Sequence, residues 1–127
     1  MAIKFSVENK VGITVEGVLN NADGNEIEFD LKLTLKRLKE AEFLQVQKHL
    51  MEEAAKSGNH SAVAEKLIEL TTNWSGPRDE SDAPLAYTPT NLKTLLECYS
   101  GLELMIWQKY REKRGARAKN SQSLQAQ

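Results

Sequence analysis

Apolar and polar residues alternate through the first third of the chain, and a period of two predicts strands. Ile3, Phe5 and Val7 share one face of a first strand. Asn9-Lys10-Val11-Gly12 reads as a turn, after which Ile13 and Val15 resume the alternation. A second turn falls at Asn20 to Asn25, where Asp23-Gly24 supplies the positive-φ preference of a tight hairpin. The pattern is clearest where Ile27, Phe29, Leu31, Leu33 and Leu35 interleave with Glu28, Asp30, Lys32 and Thr34. One apolar face and one charged face mean an antiparallel sheet covered on one side.

After Leu35 the apolar spacing becomes helical. From about Lys39 to Lys56, Ala41, Phe43, Leu44, Val46, Leu50, Met51, Ala54 and Ala55 form a wide stripe. Glu40 and Glu42 suit the positive end of the dipole, and Ser57-Gly58-Asn59 ends the helix. A second helix is predicted from about Ser61 to Leu70, with Val63, Leu67, Ile68 and Leu70 inward. Pro77, Pro84 and the acidic group Asp79, Glu80 and Asp82 make 73–87 a loop. Thr88-Pro89 pairs a capping hydroxyl with proline at the first helical position, so it starts a third helix with Leu92, Leu95, Leu96 and Tyr99 on its apolar face. Ser100 and Glu103 have the spacing of a capping box for a fourth, whose inner face is Leu102, Met105, Ile106 and Tyr110, with Gly115 as its end.

The expected architecture is α+β: a small N-terminal antiparallel sheet of about three strands followed by about four helices, in two layers. One domain is expected over 1–114, with a sheet part at 1–36 and a helical part at 39–114, and a flexible basic and polar tail at 115–127. The 127 residues suffice for one core without metals or disulfides. The single cysteine, Cys98, fits a reducing compartment. Met1-Ala2-Ile3-Lys4 lacks the apolar run of a secretory leader, and no stretch has the length of a membrane span, so a cytoplasmic protein is expected.

Net charge is −1, which gives no general attraction to nucleic acid or membrane. The distribution is uneven: Lys109, Arg111, Lys113, Arg114, Arg117 and Lys119 face one acid, Glu112. This run reads either as a helix end complementing its dipole or as an electrostatic contact. With one aromatic inside it, Tyr110, protein contact is favoured over single-strand stacking.

No residue set has catalytic spacing. His49 and His60 have no companion ligands, and zinc needs at least three from the protein. Cys98 has neither a base nor an orienting group in view. Asp79, Glu80 and Asp82 lack the spacing and distal glutamate of a calcium loop. No enzyme activity, cofactor or metal is expected. Trp74 reads as a core plug, and Trp107 reads equally as core or as a partner anchor.

The order of features resembles the tail assembly chaperones of long-tailed bacteriophages. The resemblance is carried by Leu35-Lys36-Arg37-Leu38-Lys39-Glu40-Ala41-Glu42 at the sheet-to-helix passage, Trp74 before an acidic loop, and Tyr87-Thr88-Pro89 opening the helix of Leu92-Lys93-Thr94-Leu95-Leu96. Tyr99, the helix through Ile106 and Tyr110, and the close at Gly115-Ala116-Arg117-Ala118-Lys119-Asn120 complete it, spanning about 35–120. Lys39 departs from the pattern, which has a capping Ser or Thr there. The resemblance implies a protein of phage or prophage origin that acts in the host cytoplasm during virion morphogenesis. It would keep the tape measure protein soluble, help recruit tail tube protein, in many relatives through a frameshift-extended form, and be absent from the mature virion. A structural tail completion or adaptor protein retained in the virion is the alternative, and a nucleic-acid-binding regulator a third. Self-association along an elongated partner would suit the chaperone reading.

Surplus apolar helix surface is the expected grip. Its predicted contact residues are Phe43, Val46, Leu50, Met51 and Trp107, with Arg111, Arg114 and Arg117 adding electrostatic guidance.

Overall fold

The alternation seen in the sequence becomes a long two-stranded hairpin in the computed structural model, which describes residues 9–116. Strand β1 (Lys10–Asn20) pairs antiparallel with β2 (Glu26–Lys36), with Ile13 opposite Leu33 and Val15 opposite Leu31. Val11, Ile13, Val15, Leu31, Leu33 and Leu35 are all buried, so every second residue of both strands faces the helices. Gly24 (φ 82°) takes the left-handed position of the turn, and Oδ1 of Asn21 accepts the amides of Asp23 and Asn25 at 3.0 and 2.9 Å.

Two expectations about the strands are corrected. Lys10 to Gly12 form no turn; they belong to β1, because Gly12 pairs with Thr34 and Val11 is needed in the core. The expected strand around Ile3 to Val7 lies outside the described residues. The third strand is β3 (Thr71–Ser75), within the part expected to be helix and loop. It pairs antiparallel with the other edge of β2, Trp74 opposite Leu33, in the order β1-β2-β3. A register shift between Thr34 and Leu35 accommodates Thr72, whose hydroxyl donates to the Thr34 carbonyl at 3.2 Å.

Four helices complete the α+β fold: α1 (Glu40–Ser57), α2 (Ser61–Leu70), α3 (Pro89–Cys98) and α4 (Leu102–Lys113). At the start of α1 the Lys39 side chain has no acceptor to offer, and the Glu42 carboxylate takes the Lys39 amide at 3.4 Å instead. The Thr88 hydroxyl caps α3, accepting from the Asn91 amide at 3.0 Å. The capping box expected at Ser100 and Glu103 does not form: the residue before α4 is Gly101, and no side chain caps it. The inner face of α4 is Leu102, Ile106, Trp107 and Tyr110, whereas Met105 is 40% exposed. One core joins this face to α2, α3 and the sheet. Its aromatic seam runs from Phe43 to Trp107 (centroids 5.7 Å apart, planes at 16°) and on to Tyr110 (5.5 Å, 27°).

Candidate functional site, a groove between α1 and α4

The eight residues expected to form a contact surface divide into three groups. Phe43, Leu50 and Trp107 are buried in the core, Phe43 and Trp107 as a stacked pair, which settles Trp107 on packing rather than an exposed anchor. Val46 is half-buried and packs against that core. Arg114 is also turned inward. Its guanidinium sits 4.0 Å above the Phe43 ring, and Nη2 donates to Glu40 at 3.0 Å and to the Leu38 carbonyl at 3.4 Å. That cation fastens α4 to the start of α1 and is not offered to a partner. Arg117 lies outside the described residues.

Met51 and Arg111 form the surface group. Met51 is 67% exposed and Arg111 is exposed. Both line a groove of about 360 Å³ between α1 and α4. Gln47, Leu50, Met51 and Ala54 form its α1 wall, Leu104, Trp107 and Arg111 its α4 wall, and His60 and Val63 close it from the side of α2. Leu50, Val63 and Trp107 belong to the core, so the groove is a place where the core meets solvent. The indole Nε1 of Trp107 donates to Gln47 at 3.2 Å, which fixes the ring across the gap and satisfies its polar atom.

Two lip residues went unrecognised as contacts. Leu104 is 39% exposed on the lip opposite Met51. Its signal was the spacing Leu104, Trp107, Arg111, a second helical face beside the one that packs the core. Leu44, seven residues before Met51 and 57% exposed, continues the apolar lip along α1.

The chemistry available here is burial. Met51 is unbranched and adaptable, suited to varied apolar partners. Arg111 contributes positive charge at one end; its Nη1 donates to Gln108 at 3.3 Å. Among the described residues no three His, Cys, Asp or Glu side chains converge as a metal site, and no helix is long and apolar enough to cross a membrane. The chain matches no protein-family model, no curated protein and no solved structure.

Proposed function

We propose that this protein is a binding protein that shields apolar helical segments of an elongated partner, and specifically that it acts as a phage tail assembly chaperone for a tape measure protein. The observation that carries the proposal is the groove between α1 and α4, where exposed Met51 and Leu104 flank a floor of core residues. An apolar side chain on one face of a partner helix would enter this groove, and Leu44 would meet the next turn along α1. Covering such stripes keeps a long amphipathic protein from aggregating. The order of motifs from Leu35 to Asn120 supports the same reading. The chaperone would act in the bacterial cytoplasm, with recruitment of tail tube protein as its second task.

The test is co-expression. Tape measure protein made with this chain is expected in the soluble fraction, and made alone it is expected in the pellet. Equal solubility in both cases would remove the proposal. Mass analysis of purified particles separates a chaperone, which is absent, from a structural tail protein, which is retained.

A further inference from the structure

Among the described residues nothing covers the outer face of the sheet. Alternate residues of the hairpin point there, away from the helices. Their charges are sorted by position. Lys10, Lys32 and Lys36 lie toward the open end of the hairpin, and Glu16, Asp30, Glu28 and Glu26 toward its turn. Among the described residues none of these side chains joins an ion pair.

The sorting is symmetric about the middle row of the hairpin, where Val15 pairs with Leu31. Outward from that row along β2, Lys32 on one side matches Asp30 on the other, Thr34 matches Glu28, and Lys36 matches Glu26. Along β1, Thr14 matches Glu16 and Gly12 matches Val18. Gly12 and Val18 also match in shape. A Cβ at Gly12 would meet nothing within 4 Å, and Gly12 lines a shallow hollow of about 350 Å³ with Thr14, Lys32, Thr34, Asn73 and Ser75. Val18 is an apolar knob, 51% exposed.

We infer that this face pairs two copies of the chain, sheet against sheet, with strands antiparallel about a two-fold axis through the middle row. In that arrangement Lys32 of each copy faces Asp30 and Glu16 of the other, Lys36 faces Glu26, and Val18 enters the hollow at Gly12. A parallel arrangement would set lysines on lysines and carboxylates on carboxylates, so charge selects the antiparallel one. Sheet twist leaves facing strands about 30° apart, which makes the central contacts between Lys32 and Asp30 the closest. The face offers about 400 Å² per copy, the size of a weak, reversible and salt-sensitive contact rather than a permanent dimer. The core and the helices lie on the other side of the sheet, so the groove between α1 and α4 stays open on both copies. The pairing does not depend on what that groove binds.

The test is sedimentation equilibrium of the full chain at concentrations up to about 1 mM, where a contact of this size is populated. Wild type is expected to dimerise reversibly at low salt, with a dissociation constant about tenfold or more higher at high salt. Lys32→Glu and Asp30→Lys each set like charges across the axis, and each variant alone is expected to be monomeric. Mixed together, the two are expected to pair, because each supplies the charge that the other lacks. The double variant K32E/D30K exchanges both signs on one chain and is expected to recover the dimer. Gly12→Leu fills the hollow from open space, so it should melt as wild type does and pair more weakly. A wild type that stays monomeric across this range, a dimer indifferent to salt, or single variants whose mixture stays monomeric would overturn the inference. So would a dimer that is lost with Met51→Glu and kept with Lys32→Glu, which would place the contact on the helices.

Discussion

The Tyr110 hydroxyl donates to the Lys36 carbonyl at 2.8 Å, tying the last turns of α4 to the end of β2. The same oxygen accepts the Leu38 amide at 3.1 Å. One buried side chain thus serves two backbone groups in the passage from sheet to helix. Tyr110→Phe keeps the ring and strands both groups. A loss of about 1–3 kcal/mol is expected from urea unfolding.

The same contact predicts a pH dependence. Burial pushes the Tyr110 hydroxyl above its ordinary 10.0, against the lowering effect of the Leu38 amide. A folded-state value raised above the unfolded one favours the protonated form on folding. The stabilisation is therefore fully present below pH 10.0 and is lost as pH rises through the raised value. Burial raises Tyr87 as well, so the difference between wild type and Tyr110→Phe isolates the Tyr110 share. Wild-type stability should fall more steeply above about pH 10 than that of the variant.

Arg114 and Glu40 meet at 3.0 Å, but the carboxylate side chain is 70% exposed and the guanidinium side chain 11%. Screening makes the ion pair itself weak, and Glu40→Gln should cost no more than about 0.5 kcal/mol. Arg114→Lys removes the planar group above Phe43 and should cost about 1 kcal/mol, although the charge is kept. Thermal unfolding of the two variants separates stacking from charge.

Gly76 adopts φ 119°, and a Cβ there would lie 2.5 Å from the Asp30 carbonyl oxygen. Backbone cannot retreat as a flexible side chain would. Gly76→Ala should destabilise the protein by more than about 1 kcal/mol. A melting temperature equal to that of wild type would show that the approach of the loop to β2 is looser than this geometry.

Much of the fold was legible because single elements carried their own signals. Ile27 to Leu35 alternated cleanly, Ser61 to Leu70 kept a helical spacing, and Thr88-Pro89 marked the start of α3. The β3 strand carried no such signal. Thr71-Thr72-Asn73-Trp74-Ser75 has little alternation, and its extended state depends on pairing with β2, a partner some forty residues away. Gly12 looked like a turn residue because its tolerance of a paired strand position appears only beside Thr34. The groove was half legible for a related reason. Leu102 and Leu104 belong to two faces of α4, and the sequence offers no means of choosing which one packs. Phe43, Leu50 and Trp107 were correctly apolar and helical, yet three-dimensional stacking assigned them to the floor and core and left Met51 at the lip.

The groove's role is most directly tested by purified protein mixed with tape measure protein and followed by size exclusion with light scattering. Leu50→Ala serves as a core control and should cost about 2–5 kcal/mol in stability. Met51→Glu and Leu104→Glu change exposed lip positions and should alter folding by no more than about 0.5 kcal/mol each. The wild-type chain is expected to form a soluble complex, and the Met51→Glu/Leu104→Glu double variant, though folded, is expected to leave the tape measure protein aggregated. A double variant that solubilises the tape measure protein as well as wild type does would contradict the assignment of this groove as the grip.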